Sequence, residues 1–236
     1  MIFVPSVVKV FMKRVVSPEL LDTDAGTPRE VSDSLSDLRR VNEWFGGTAT
    51  TQAMVEHVAA RLKRQSFTLL EVAAGSGHVP RTVGSRLKNQ GIQLEISLLD
   101  RAPSHLATGN GHGFQSVVGD ALALPFADSS FDLISCSLFA HHLSPEQLVQ
   151  FATEALRVCR LAVLINDLVR HPLHLGLIYA GMPLYRSRLT RHDAPASVRQ
   201  AYTLQEMREL LGQTKASQVE ILRHYLFRMG VIAWKI

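Results

Sequence analysis

FTLLEVAAGSGHVPR, residues Phe67 to Arg81, runs from an apolar strand pattern through a glycine-rich turn into a helix pattern. A second apolar run, LEISLLD, follows it and ends in a carboxylate, Asp100. Glycines at a strand-to-helix turn let a ligand approach the backbone closely. An acid at the tip of the next strand can accept hydrogen bonds from a ribose diol. The unit predicts a protein that binds a nucleoside-containing cofactor.

The alternation continues outward from this unit. Strand patterns fall at 67–73, 94–100, 114–118, 131–138, 160–167, 217–226 and 228–235, and helix patterns at 78–90, 145–158 and 203–212. Ser144-Pro145 with Gln147, and Thr203 with Glu206, are helix starts of the capping-box kind. Alternating strands and helices imply a doubly wound, mostly parallel seven-stranded α/β sheet. The last two strands have almost nothing between them, so they form an antiparallel hairpin at the C-terminal edge. Upstream, Thr27-Pro28 opens a helix whose apolar stripe is Val31, Leu35, Leu38, Val41 and Trp44. Gly46-Gly47 ends it, and a second helix carries Met54, Val55, Val58, Ala59 and Leu62. Trp44 and Phe45 read as core. One domain is expected over 1–236: an N-terminal arm (1–26), a helical cap (27–66), a cofactor-binding core (67–167), a lid insertion (168–202) and a C-terminal helix and hairpin (203–236). The insertion holds an apolar helix-like piece, Leu173 to Leu184, then the charged stretch RSRLTRHDAPASVRQ. Long insertions at strand ends commonly cover active sites.

Bulk properties narrow the function. The 236 residues are 46% apolar and 19% charged, an ordinary composition for one α/β domain. The net charge of +4 is spread without a basic run, which argues against a nucleic-acid partner. No apolar run reaches the ~20 residues needed to cross a bilayer, so no membrane partner is expected. Cys136 and Cys159 lie in apolar surroundings and suit a reducing, cytoplasmic location better than a disulfide framework. The N-terminal MIFVPSVVKVFMKRVV is broken by Pro5 and Lys9 and makes a poor signal peptide. It reads as an irregular arm, or as sequence preceding a natural start at Met12. A monomer and a homodimer are both compatible with the sequence.

The order strand, GSG turn, Asp100, then Gly119-Asp120-Ala121, Leu124-Pro125-Phe126 and Ser130-Phe131-Asp132 resembles the Rossmann-like (class I) S-adenosylmethionine-dependent methyltransferases. The likeness is to the small-molecule group that includes the ubiquinone/menaquinone-pathway enzymes, and it covers about residues 67–167. It implies a cofactor, S-adenosylmethionine, and a set of contacts. Glu71 matches the acid that contacts the methionine amino group, and Gly75 and Gly77 match the turn beneath the methionine. Ala73 stands where many members carry glycine. Asp100 matches the ribose-binding acid, Arg101 lies beside the adenine, and Asp120 and Ala121 match the pair at the adenine edge. Ser137 and Leu138 stand where the fourth strand opens toward the methyl group. Arg40 is a candidate for the methionine carboxylate.

The residues themselves agree with that cofactor. It carries a ribose and an ammonium but no phosphate, and Val79 occupies the place of a third glycine aimed at a pyrophosphate. A nicotinamide-dependent oxidoreductase is therefore the weaker alternative, alongside a non-catalytic cofactor-binding protein. His141 and His142 follow the fourth strand, and a histidine can take a phenolic proton near neutral pH. Asp167 ends the fifth strand. The pattern INDLVRH…RHD…SVRQAYT resembles a subset of bacterial methyltransferases associated with secondary metabolites, and His192, Arg199 and Tyr202 are candidate lid contacts. The candidate catalytic set is His141, His142, Asp167 and His192. No metal is expected: catechol-type methyltransferases hold magnesium with acids after the fourth and fifth strands, and here the fourth is followed by two histidines. The expected reaction is methyl transfer to a small organic acceptor, with a phenol or hydroxyl oxygen as the specific expectation.

Overall fold

The computed structural model describes residues 12–21, 26–107, 114–224 and 226–235. Residues 1–11 and 22–25 of the expected arm, and residues 108–113, 225 and 236, therefore lie outside the described residues, as does any choice between Met1 and Met12.

Seven strands form one sheet: β1 (Ser66–Val72), β2 (Gln93–Asp100), β3 (Gln115–Val118), β4 (Phe131–Ser137), β5 (Cys159–Leu168), β6 (Gln218–His224) and β7 (Arg228–Trp234). Their order is β3-β2-β1-β4-β5-β7-β6. The first five are parallel, and β7 runs antiparallel to both β5 and β6. The chain order reverses between β1 and β4, and a crevice opens at the carboxyl ends of such strands.

The helices are α1 (Pro28–Trp44), α2 (Gly47–Leu62), α3 (His78–Lys88), α4 (Pro103–Ala107), α5 (Pro145–Val158), α6 (Pro172–Gly181), α7 (Arg188–Gln200) and α8 (Leu204–Leu211). The local start signals operate as the sequence implies. Thr27, Ser144 and Thr203 each close a capping box, satisfying amide donors at the first turns of α1, α5 and α8. One core lies between the sheet and α5 and α8, with Phe151, Leu148, Met207 and Leu211 fully buried. The other lies under α2 and α3, where Met54, Val58, Val83 and Leu87 meet Phe67, Leu98 and Trp234. α2 is thus a layer of the sandwich rather than a cap. Both cysteines are buried and free.

Three expectations change. The apolar stripe of α1 is not its buried side. The buried residues of α1 are polar: Ser34 bonds Thr190 at 3.0 Å, and Asp37 accepts from the backbone N–H groups of Arg186 and Ser187 at 2.8 and 3.0 Å. That polar side joins α1 to the start of α7, while Leu35, Leu38 and Val41 face an open cavity. Trp44 and Phe45 are accordingly not core; they are 62% and 45% exposed and line the same cavity. Finally, the charged stretch after Leu184 is helix α7. Ser187 caps it, and Pro195 lies within the helix without ending it.

Candidate functional site

A cavity of about 630 Å³ lies over the carboxyl ends of β1, β2, β4 and β5 and is roofed by α1, α6 and α7. At one end the β1–α3 turn bends sharply. Ala73, Gly75 and Gly77 all take positive φ, at 53°, 55° and 67°. The two glycines have different jobs. A Cβ on Gly75 would meet nothing within 4 Å, and its N–H donates to Asp100 Oδ2 at 2.8 Å, so its face is open to a ligand. A Cβ on Gly77 would lie 2.6 Å from Leu98 Cδ1. Gly77 therefore serves the packing of α3 on β2 and does not line the cavity, contrary to the expected contact.

Asp100 also accepts from the Ala102 N–H through Oδ1 at 2.9 Å. Burial pushes its pKa up. The nearby His105 imidazole and the hydrogen bonds from Ala102 and Gly75 outweigh burial and hold the carboxyl below its ordinary value. It is a fixed, ionised acceptor at the tip of β2. Arg101, Asp120 and Ala121 line the cavity beside it, as do Ala73, Ser137, Leu138 and Arg40. Leu138 too has positive φ, at 55°, so backbone strain concentrates around this cleft, as it does at functional sites. Arg40 is paired with Asp37 in this structure. Glu71 lies opposite Ser135 in the parallel β1–β4 register, and the Ser135 hydroxyl donates to its Oε2. Full burial raises the Glu71 pKa to about 7, against the lowering effect of Ser135 and Ser137.

The second end of the cavity holds the histidines. His141 is buried, with Nδ1 2.7 Å from Asp167 Oδ1 and Nε2 3.5 Å from Glu19 Oε1. Burial alone would lower its pKa. The two carboxylates override burial and push it up to about 10. Both of its ring nitrogens thus face carboxylates, which favour its charged form. Asp167 stands behind His141 and does not line the cavity; His142 does. His192 is a correction: its side chain is exposed and turned to Asp193 Oδ1 at 2.9 Å. The helical period turns Asp193 and Ser197 inward and its neighbour outward. Arg199 pairs with the Tyr179 hydroxyl at 2.7 Å, and Tyr202 is buried with its hydroxyl on Leu143 O at 2.7 Å; neither lines the cavity.

Glu19 and Arg228 are among the buried charges that were not foreseen. Glu19, from residues 12–21, accepts from Ser197 Oγ at 2.6 Å and Gln200 Nε2 at 2.7 Å. The same segment is fixed by Arg14, which donates to His141 O and Leu143 O at 3.0 and 2.8 Å. Asp193 fixes it further, accepting from the N–H groups of Leu20 and Leu21 at 2.8 and 3.1 Å. No local pattern in SPELL marks Glu19 as buried. Arg228, opposite Leu168 on β5, is 3% exposed and gives one hydrogen bond to Asn166 Oδ1 at 3.2 Å; its Nη2 has no partner among the described residues. An arginine inside the apolar run FRMGVIAW was the available signal.

The strand order with its antiparallel edge, the glycine turn under a strand-end acid and the crevice above them define the class I S-adenosylmethionine-dependent methyltransferase fold. Residues 69–161 match the model of the methyltransferase domain family. The ubiquinone/menaquinone biosynthesis C-methyltransferase UbiE of Dinoroseobacter shibae is 31% identical over 116 residues. That alignment spans 46% of this chain and 43% of that relative, less than half its length. Among solved structures, the plantazolicin methyltransferase BamL, in complex with a triazolic desmethylPZN analog and S-adenosylhomocysteine, is 14% identical with a TM-score of 0.67, covering 88% of this chain and 91% of that one. A SAM dependent methyltransferase from Aquifex aeolicus is 14% identical with a TM-score of 0.59, covering 85% and 98%. At these identities the structures establish the fold. Among the described residues no helix is long and apolar enough to cross a membrane.

Proposed function

We propose that the chain transfers a methyl group from S-adenosylmethionine to a small organic acceptor, at a phenol or hydroxyl oxygen. The observation that carries this reading is the continuity of one cavity. It joins the polar cradle of Asp100, Gly75 and Glu71 to a mostly apolar chamber under α1, α6 and α7. A donor held at the first end would present its sulfonium methyl toward the second.

In this reading Asp100 holds the ribose hydroxyls, Glu71 faces the methionine ammonium, and Asp120 and Ala121 border the adenine. The reaction is an in-line displacement at an activated carbon, so the protein's main contribution is orientation and exclusion of water. The apolar roof serves the second need. Leu35, Leu38 and Val41 of α1, with Leu177, Ile178 and Leu184, form a lining suited to an aromatic or aliphatic acceptor body. His142, partly exposed in the cavity, is the histidine that faces the acceptor chamber. The UbiE relative is a C-methyltransferase and the BamL structure contains a triazolic desmethylPZN analog, so the atom methylated is the point to test. Protein incubated with isotopically labelled donor and a panel of phenols, alcohols, amines and activated carbon acids is expected to label phenolic oxygen, seen as an O-methyl signal in the product's NMR spectrum. Label found only on carbon or nitrogen would overturn the oxygen assignment and leave the transfer intact.

A further inference from the structure

At the acceptor end of the cavity, three side chains from distant parts of the chain turn their ligating atoms toward one another. Glu19 comes from the N-terminal segment, and His141 and His142 from the turn after β4. Their carboxylate and imidazole atoms all lie within 4.8 Å of one another. We propose that these three residues form a binding site for a divalent transition-metal cation of the zinc class. Two imidazoles and one carboxylate are a donor set typical of such ions, and three protein ligands leave coordination positions open.

What sets the cluster apart from a chance meeting of polar groups is the support behind two of its ligands, His141 and Glu19. Metal-bound histidines usually donate their other ring N–H to a carboxylate, which fixes the tautomer and aims the free nitrogen. His141 does this: Nδ1 is 2.7 Å from Asp167 Oδ1, which leaves Nε2 toward Glu19. Glu19 is arranged in the same way. Its Oε1 accepts from Ser197 and Gln200, and its Oε2 is turned to His142 Nε2 at 3.9 Å. Glu19 Oε1 lies 3.5 Å from His141 Nε2. Neighbouring donor atoms around one ion with bonds of about 2.1 Å stand roughly 3–3.4 Å apart, so the ligands need to close by only a fraction of an ångström to somewhat more than one.

Charge supports the same assignment. Glu19 and Asp167 place two negative charges around His141, both buried. Buried negative charge of this kind favours a dication, and ligation uses the neutral imidazole. The expectation that the site lacks a metal rested on finding no acid after the fourth strand. The acid comes instead from residue 19, across the fold.

All three residues line the cavity, so the open coordination positions would face the acceptor. If the function proposed above holds, the ion would act there as a Lewis acid on the acceptor oxygen. The binding site itself does not depend on that reading.

The test uses full-length protein stripped with chelator and titrated with Co²⁺, whose visible absorption reports coordination by protein ligands. Zn²⁺ then competes, and S-adenosylhomocysteine binding is measured in parallel by calorimetry. Saturable binding of one Co²⁺ is expected, displaced by Zn²⁺. It should weaken by more than about 100-fold in both Glu19→Gln and His142→Ala, and by about 10–100-fold in Asp167→Asn, which keeps the side chain's shape but weakens its support of His141. Thermal melting of each variant separates loss of a ligand from loss of the fold. Wild-type protein that binds S-adenosylhomocysteine but no cobalt would overturn the metal site and leave the methyltransferase reading standing. Cobalt binding unchanged in Glu19→Gln and His142→Ala would overturn it equally. Cobalt binding as expected in protein that ignores S-adenosylhomocysteine would support the metal site and count against the cofactor reading.

Discussion

Replacing Glu71 by glutamine should stabilise the protein, and by an amount that grows with pH. Glu71 is fully buried at the end of β1, and its carboxyl is raised from an ordinary value of 4.5 to about 7 because burial penalises the charge more than Ser135 and Ser137 favour it. An unfolded chain ionises this group from about pH 4.5; the native chain resists until about pH 7. Between those limits the native state binds the extra proton, so Glu71's contribution is fully present at low pH and is lost as pH rises through the native value. At about 1.4 kcal/mol per pH unit, the complete loss is about 3 kcal/mol. Glutamine keeps the shape and removes the charge. Glu71→Gln should therefore gain less than about 1 kcal/mol near pH 5 and about 3 kcal/mol near pH 8, read as the difference between denaturant melts of the two proteins at each pH. Using the difference cancels other titrating groups. The same carboxyl is proposed to meet the cofactor's ammonium, which favours its ionised form. S-adenosylhomocysteine should then bind wild-type protein more tightly as pH rises through about 7, while releasing a proton, and the variant should show neither effect. A variant that is less stable at pH 8, or a stability difference flat between pH 5 and 8, would refute the argument.

Ala73 holds a positive φ of 53° that costs an alanine more than a glycine. Ala73→Gly should raise stability by about 0.5–1 kcal/mol in urea melts, and a loss would contradict the strain. Gly77→Ala should have the opposite sign, because its φ is 67° and its new methyl would press on Leu98 at 2.6 Å; a cost of about 1–3 kcal/mol is expected by the same measurement. Asp193→Ala removes the acceptor for the Leu20 and Leu21 N–H groups. Limited proteolysis should then cut within residues 12–21 several-fold faster with the core still resistant, and an unchanged cleavage rate would show that the other contacts of the segment suffice.

The sheet and its caps were legible because their signals are local. Two-residue alternation, a proline after a capping serine and glutamine at the third position act within a few residues, whatever the rest of the chain does. The hairpin edge followed from the short gap between the last two strands. The lining of the cavity was legible where strand ends form it, as at Glu71, Asp100 and Ser137. It was not legible where distant segments complete it. Glu19 owes its burial to Ser197, Gln200 and His141, and nothing in its own neighbourhood encodes that meeting. Arg228 is buried because β7 lies beside β5 in the sheet. Trp44 and Phe45 show a different limit: periodicity says that one face of α1 is apolar, but not whether that face meets protein or an open cavity. His192 shows a third. A histidine beside an aspartate looks like a site in sequence, yet only the aspartate is buried at the cavity, and the histidine caps it from the solvent side.

The account rests on a carboxylate at the tip of β2, fixed by the Gly75 and Ala102 amides, as the anchor for an adenosyl group. Calorimetric titration of S-adenosylhomocysteine into folded wild-type protein and into Asp100→Ala addresses it most directly. One site per chain is expected in the wild type, with affinity lowered on the order of 100-fold in the variant, since about 2.8 kcal/mol of charged hydrogen bonding to the ribose would be lost. Folded wild-type protein that gives no binding heat, or equal affinity in the two proteins, would contradict it.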